Sequence, residues 1–279
     1  MPAVFLADRS FLQLRGPDSR NFLNNLITAD LETLSDGCAG VAALLTPQGK
    51  ILFEFLVYPQ GADVMLEVAA SEAEALIRRL TMYKLRAAVT ITLESQEGVT
   101  VFWDGGAIEG AFQDLRFKAA GLTVWRKPGH HGNDAPSLYT DLRIANGIAE
   151  AGQDYALQDA FPHDALYDFN AGVSFKKGCY VGQEVVSRMQ HRKTARRRVA
   201  IVSAETVLEP NAGELRANDR PVGMLGSANG QHGLAIVRID RIGDALASSH
   251  PITLNGTAVT VRLPAWTGLE FPTTHEDVE

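Results

Sequence analysis

The last third of the chain repeats short apolar runs separated by turns, and this pattern constrains the fold more than any other feature. The runs cover 199–202, 221–227, 233–238 and 258–263, and Gly, Asn and Asp residues lie between them. Strands of this length with frequent turns are typical of a small β-barrel or β-sandwich. The composition changes at a basic run that ends near Arg198, so we expect a domain boundary there.

The residues before Arg198 mix helical and strand-like patterns, which is typical of an α+β fold. The predicted helices cover 17–27, 71–80 and 178–190. The predicted strands include 41–45, 51–58 and 64–68. Ser71 and Glu74 have the spacing of a capping box at the second helix. Residues 149–173 show no clean period, so we expect a long ordered loop, which at this length is often functional.

Composition excludes several classes of protein. The 279 residues suffice for two or three compact units, and a hydrophobic content of 46% is typical of a soluble globular protein. The net charge of -7 argues against nucleic-acid binding by the whole surface. Two cysteines, Cys38 and Cys179, cannot form a disulfide framework, which fits a reducing cytoplasm where free thiols persist. With no targeting pattern at the start and no apolar stretch of roughly 18 to 20 residues, we expect a cytoplasmic protein without membrane contact.

The strongest chemical signal is the segment 176–184, which reads Lys-Lys-Gly-Cys-Tyr-Val-Gly-Gln-Glu. It places Cys179 behind two lysines and Gly178, at the predicted start of a helix. Helix N-termini and nearby cations favour the thiolate, so Cys179 is a candidate reactive or ligating thiol that Lys177 keeps ionised. Gly178 permits a close backbone approach or a positive φ. The alternative is an inert structural thiol, which is how we interpret Cys38.

A single thiol limits the chemistry of this segment. It can attack an electrophile, form a mixed disulfide or supply one ligand to a metal. It cannot hold an iron–sulfur cluster alone, because such clusters usually take four cysteine ligands. Neither Cys38 nor the seven histidines have the spacing of a metal site. Any cluster therefore needs ligands from a partner, a second copy or a small molecule.

The helix after Cys179 carries Gln183, Glu184 and Arg188, and two interpretations stay open. Glu184 lies one turn before Arg188, so the two can form an ordinary surface ion pair. Alternatively, Glu184 anchors a pterin-like or amide-bearing ligand. The basic run 191–198 that follows is either a solvated face, a site for an anionic cofactor tail or a contact for RNA phosphates.

The string from Lys177 to Glu184 closely resembles the signature of the YgfZ family. These proteins are folate-binding relatives of the glycine-cleavage T-protein, and they include mitochondrial assembly factors for [4Fe–4S] proteins. The resemblance extends over most of the chain. Its other stretches are 22–30, 45–50, 143–148, 161–162, 233–238 and 263–266.

The resemblance implies an α+β, T-protein-like three-lobed fold with two α/β lobes, a small C-terminal β-barrel and a central hole that admits tetrahydrofolate. The implied domains are a folate-binding region of two interleaved lobes over 1–198, the barrel over 199–270 and an acidic tail over 271–279. The implied function is assembly or repair of iron–sulfur proteins, with Cys179 as nucleophile or transient cluster ligand. The implied partners are the iron–sulfur assembly machinery or client [4Fe–4S] enzymes.

The same resemblance implies a set of cofactor contacts. Tetrahydrofolate is the expected cofactor, and a transient iron–sulfur cluster is the second expected ligand. The residues expected at the cofactor are Tyr180, Gly182, Gln183, Glu184 and Arg188.

Two departures from the T-protein pattern bear on activity. T-proteins carry an Asp pair on the strand after the first hairpin, where this chain has Phe53 and Glu54. They also carry a pterin-binding Glu where this chain has Ala145. The first departure argues against glycine cleavage, and the second removes the usual pterin anchor.

Two other functions stay open from the sequence. A tetrahydrofolate-dependent one-carbon transferase or demethylase, of the aminomethyltransferase type, would use Glu54 as a catalytic carboxylate. A tRNA-modification factor would contact RNA weakly through the basic residues between Arg192 and Arg198.

Overall fold

The computed structural model describes residues 1–272, and their contacts divide the chain into two compact units. The first unit contains Met1–Leu138 and Tyr167–Gln183, and the second contains Tyr139–Leu166 and the chain from Glu184 onward. Residues 139–166 therefore group with the C-terminal residues, which differs from the division at 198 drawn from composition. Composition does not mark these boundaries, because they fall inside helices and a turn rather than in linkers.

The first unit is built on a closed β-barrel. Its strands are β1 (Ala3–Arg15), β2 (Cys38–Leu45), β3 (Ile51–Gln60), β4 (Asp63–Ala69), β5 (Thr90–Trp103), β6 (Phe112–Asp114) and β7 (Val124–Pro128). Their order around the barrel is β1-β4-β3-β2-β6-β7-β5, and β5 pairs back with β1. The pair β2 and β6 is parallel, whereas β2, β3 and β4 form the antiparallel meander expected from the sequence.

Two helices cover one part of this barrel, α1 (Ser19–Asn24) and α2 (Ala73–Lys84). Leu23 of α1 and Leu76 of α2 pack into a core with Leu12 and Leu44 from the strands, and all four side chains are fully buried. Burial of a Leu side chain contributes about 1.5–3 kcal/mol. The core therefore explains why these short helices are stable.

The helix boundaries differ from the predicted ones. Helix α1 is shorter than the predicted 17–27, and α2 follows a 3-10 turn over Ala70–Glu72. The predicted capping box of Ser71 and Glu74 is wrong, because Glu72 precedes α2 and makes no side-chain cap hydrogen bond. The 3-10 turn moves Ser71 out of the N-cap position.

The second unit contains the C-terminal barrel, which confirms a barrel rather than a sandwich. Its strands are β8 (Arg197–Ala204), β9 (Glu214–Ala217), β10 (Arg220–Asn229), β11 (His232–Arg238), β12 (Ile252–Leu254) and β13 (Thr257–Arg262). Their order is β10-β11-β8-β13-β12-β9. The helices α3 (Pro136–Asn146) and α4 (Gln183–His191) begin in the first unit and continue into this one, and α5 (Ile239–Ala247) follows β11.

A buried arginine connects α3 to the barrel within the second unit. The Arg143 guanidinium donates hydrogen bonds to Asp154 at 2.7 Å and to Ser227 of β10 at 2.8 Å. Only 1% of Arg143 is exposed. These contacts order the irregular stretch after α3, because a buried charge is tolerated only when it is paired and hydrogen-bonded.

Candidate functional site

Cys179 lies on an exposed loop before α4, not at the start of the helix as predicted. The helix begins at Gln183, so the helix-terminus part of the argument for a thiolate is wrong. Cys38, the other free cysteine, is only partly exposed and begins strand β2, which fits the structural role predicted for it. The exposed thiol of the chain is therefore the one in the signature segment.

Gly182 explains why the helix does not extend back to Cys179. Its φ is +80°, and a Cβ atom there would lie 2.5 Å from the backbone oxygen of Thr46 and 3.1 Å from Gly49. Only glycine fits this left-handed position against the β2–β3 turn without strain. The close approach expected at Gly178 is wrong, because its φ is not positive and a Cβ there would meet no atom within 4 Å.

Lys177 holds the N-terminal side of the Cys179 loop through hydrogen bonds. Its Nζ atom donates hydrogen bonds to the backbone oxygens of Asn24, Ile27 and Ala29 and to the side-chain oxygen of Asn24. These oxygens belong to the end of α1 and the turn after it. None of these partners is the Cys179 sulfur that we expected Lys177 to face.

The environment of Lys177 lowers the pKa of its amine. Burial lowers this pKa from its usual 10.5 to about 8, because the ammonium form loses hydration, and the Asp30 carboxylate opposes the change. Lys177 is therefore a charged anchor whose protonation changes in mildly alkaline solution.

Tyr180 carries an orphaned polar group. The residue is 7% exposed, and its phenol oxygen is buried without a hydrogen-bond partner among residues 1–272. Burial raises the pKa of Tyr180 well above its usual value, so the phenol stays protonated. The Nζ atom of Lys177 lies 5.5 Å from the centroid of this ring, and the Tyr180 backbone N–H donates to the side chain of Gln183 at 3.4 Å. Lys177, Tyr180 and Gln183 are thus in contact within the first unit.

Glu184 and Arg188 pair with each other in the second unit. Their side chains meet at 2.5 Å across one turn of α4 and are 83% and 57% exposed, respectively. This geometry matches the ordinary surface pair, one of the two interpretations of these residues. Contact of either residue with a cofactor stays a prediction.

Glu54 of β3 faces a tyrosine that the sequence did not single out. The Tyr167 hydroxyl donates to the Glu54 carboxylate at 2.5 Å, and Tyr167 is 1% exposed. The two residues are 113 positions apart, so no local pattern indicates this contact. If Glu54 is catalytic, its carboxylate works while it accepts the hydrogen bond from Tyr167.

A buried ion network inside the first barrel also escaped the sequence analysis. Arg126 of β7 pairs with Glu67 of β4 and with Asp114 of β6, and Glu67 accepts a hydrogen bond from Tyr58. Arg116 pairs with Asp114 at 2.7 Å. Glu67 was the sequence feature that could have indicated this network. It lies within the apolar run of β4, where an unpaired charge would be unfavourable, so a buried partner was to be expected.

The basic run 191–198 divides into inner and outer residues. Arg197 donates to Asp159 at 2.7 Å, and Arg198 donates to the backbone oxygen of His163 at 2.6 Å. These two guanidiniums therefore have partners within the second unit. The exposed members of the run are His191, Arg192, Lys193 and Arg196.

Residues 1–272 contain neither a cluster of metal ligands nor a helix that could span a membrane. In that part of the chain, no three His, Cys, Asp or Glu side chains lie close enough to hold a metal ion. None of its helices is both long and apolar enough to cross a membrane.

The sequence is similar to a known domain family and to several known proteins. The profile of the CAF17 C-terminal beta-barrel domain matches residues 196–269, which form the second barrel. The chain is 29% identical to "Iron-sulfur cluster assembly factor IBA57 homolog, mitochondrial" of Pyricularia oryzae, over 88% of the chain and 74% of the relative. It is 28% identical to human "Iron-sulfur cluster assembly factor IBA57, mitochondrial", over 86% of the chain and 78% of the relative. A Chaetomium globosum homologue is 30% identical, but the match covers 54% of its length and 70% of the chain.

A solved structure confirms the predicted T-protein-like fold. The crystal structure of glycine cleavage system aminomethyltransferase T from Bartonella henselae matches with a TM-score of 0.71, over 95% of this chain and 86% of that one. The sequence identity is 16%, so the likeness concerns the fold alone.

The cytoplasmic location expected from the sequence is contradicted by these relatives, whose names place them in mitochondria. The error has a physical reason. Free thiols argue against an oxidising compartment, but they do not distinguish one reducing compartment from another.

Proposed function

We propose that the chain is an accessory protein for the assembly or repair of iron–sulfur proteins, and that Cys179 is its working thiol. The observation that carries the proposal is the exposure of Cys179 on a loop held by Lys177 on one side and Gly182 on the other. Relatives that match most of the chain are named iron–sulfur cluster assembly factors, which supports the same role.

The chemistry of this role is ligand exchange at iron. Cys179 loses its proton to solvent and its sulfur binds an iron atom, while a bond from that iron to another thiolate breaks. No atom is oxidised or reduced in this step. Because residues 1–272 offer no group of three metal ligands, the other ligands come from a second molecule, such as an assembly protein, a client enzyme or a small thiol.

Tetrahydrofolate is the second part of the proposal, and the residues fit it in part. The orphaned phenol of Tyr180 suits a ligand that accepts a hydrogen bond, because an unsatisfied buried hydroxyl costs about 1–3 kcal/mol. The carboxylates fit less well, since Glu54 is bound to Tyr167 and Glu184 to Arg188. A bound folate would supply one-carbon chemistry to the site.

Anaerobic reconstitution tests both parts. The protein is incubated with a preformed iron–sulfur cluster ligated by glutathione, and the visible absorbance of the cluster that stays bound to the protein is recorded. We expect the Cys38→Ser variant to gain absorbance like the wild type and the Cys179→Ser variant to gain none. Equal absorbance in the Cys179→Ser variant contradicts the thiol role.

The same samples are titrated with tetrahydrofolate by calorimetry, and Tyr180→Phe serves as the probe of the orphaned phenol. We expect saturable binding that weakens about tenfold in Tyr180→Phe, since a hydrogen bond in a desolvated site contributes about 1–1.5 kcal/mol. Absence of saturable binding ends the folate part and leaves the thiol part standing.

A further inference from the structure

We propose that the C-terminal barrel binds a small organic anion, an oxyanion group on an apolar body, in a cavity between the β9–β10 hairpin and α5. The cavity has a volume of about 500 Å³. Pockets of roughly 300–1,000 Å³ accommodate small organic ligands. All of its lining residues lie in the second unit, outside the Cys179 loop.

The floor of the cavity is apolar. Ala217 of β9, Val222 of β10 and Ala245 of α5 line it, and all three belong to the core of the C-terminal barrel. They are 6%, 1% and 5% exposed. Such a floor favours the apolar part of a ligand, because the ligand's own apolar surface leaves water when it contacts these already buried side chains.

Two arginines from different elements line the cavity. Arg220 comes from β10, and Arg241 comes from α5. One Arg241 nitrogen donates to the backbone oxygen of Pro221 at 2.5 Å, which holds its guanidinium beside the hairpin. The Arg220 guanidinium has no hydrogen bond or ion pair with any residue that the structure describes.

The charge balance of the lining favours an anion. Two arginines and one acidic residue, Asp244, line the cavity, so its guanidiniums outnumber its carboxylates. The whole chain carries -7, so this positive site is a local departure. Guanidinium groups bind carboxylates and phosphates through two parallel hydrogen bonds, which makes these oxyanions the fitting ligand chemistry.

The hairpin at the cavity has the backbone geometry of a tight two-residue turn. Asn218 and Asp219 connect β9 to β10 with φ values of 48° and 58°. Two residues with positive φ are the signature of a type I′ turn, whose twist matches that of the flanking strands. The position of Arg220 directly after this turn is therefore set by the backbone before a ligand arrives.

Calorimetric titration of the full-length protein tests the proposal. The probes are phenyl phosphate and benzoate, with inorganic phosphate as the anion without an apolar body and benzyl alcohol as the neutral analogue. We expect saturable binding of phenyl phosphate, benzoate or both, and weaker binding of the two controls. The tighter of the two probes identifies the oxyanion as phosphate ester or carboxylate.

Variants locate the binding site. We expect Arg220→Gln and Arg241→Gln each to weaken the binding affinity for the probe about tenfold or more, because each variant removes a charge-assisted hydrogen bond. Arg262→Gln is the matched control, since Arg262 is an exposed arginine of β13 that does not line the cavity. Absence of saturable binding up to about 10 mM overturns the proposal. Binding that Arg220→Gln and Arg241→Gln leave within about threefold of wild type overturns it too.

Discussion

Lys177 holds the loop that carries Cys179 through its partly buried amine. Its place before Cys179 suggested that its charge stabilises the thiolate. In the structure its amine instead binds oxygens at the end of α1, and so connects the Cys179 loop to the first barrel's helical cover. The sequence could not predict these acceptors, because they lie about 150 positions away in the chain.

The anchoring role of Lys177 predicts a stability effect. Lys177→Met leaves the oxygens of Asn24, Ile27 and Ala29 without their shared donor, so we expect it to lower the free energy of unfolding by about 1–3 kcal/mol. Lys176→Met is the matched control, since Lys176 is exposed, and we expect a change within about 0.5 kcal/mol. Urea unfolding followed by fluorescence measures both. A Lys177→Met protein as stable as the Lys176→Met protein contradicts the anchoring role.

The lowered pKa of Lys177 gives this effect a pH dependence. Between about pH 8 and 10.5 the unfolded chain keeps the Lys177 proton that the folded chain has lost. Stability rises with pH wherever the unfolded state binds more protons. The wild type therefore gains stability relative to Lys177→Met across this window, and urea unfolding at pH 7, 9 and 10 shows a widening difference. A constant difference contradicts the assigned pKa.

At the scale of elements, local patterns predicted most of the strands but not the start of α4. Strands β2, β3 and β4 and the barrel strands β8, β10, β11 and β13 follow from apolar runs and turn residues, which are local signals. The short strands β9 and β12 were not predicted. The start of α4 depends on the contact between Gly182 and Thr46, which joins distant parts of the chain. A helical pattern over 178–190 could not reveal that contact.

The two glycines of the signature segment, Gly182 and Gly178, provide a test variant and its control for the docking of Gly182 on the β2–β3 turn. Gly182→Ala places a Cβ 2.5 Å from the Thr46 oxygen in a left-handed conformation, so we expect it to lower the free energy of unfolding by at least about 1–3 kcal/mol. Gly178→Ala meets no atom within 4 Å and should leave stability within about 0.5 kcal/mol. The same urea measurement compares them, and equal stability of the two variants argues against the docking of Gly182 on the β2–β3 turn.

At the scale of the molecule, the family resemblance of the signature segment and of six further stretches predicted the fold correctly. The T-protein-like architecture is confirmed over most of the chain, including the second barrel. The grouping of residues 139–166 with the C-terminal unit was not predictable, since it rests on buried polar contacts such as that of Arg143 with Ser227. The contact of Glu54 with Tyr167 was hidden for the same reason, because its partners are remote in sequence.

A role of the exposed Cys179 thiol in the assembly of iron–sulfur proteins can be measured in cells. The gene for this protein is replaced in its host cell by the wild-type gene or by a gene for Cys179→Ala or Cys38→Ala, and the three proteins are expressed at equal levels. The activities of [4Fe–4S] enzymes are then measured under oxidative stress. The account predicts normal activities with Cys38→Ala and, with Cys179→Ala, activities as low as in cells that lack the chain. Normal activities with Cys179→Ala would contradict it.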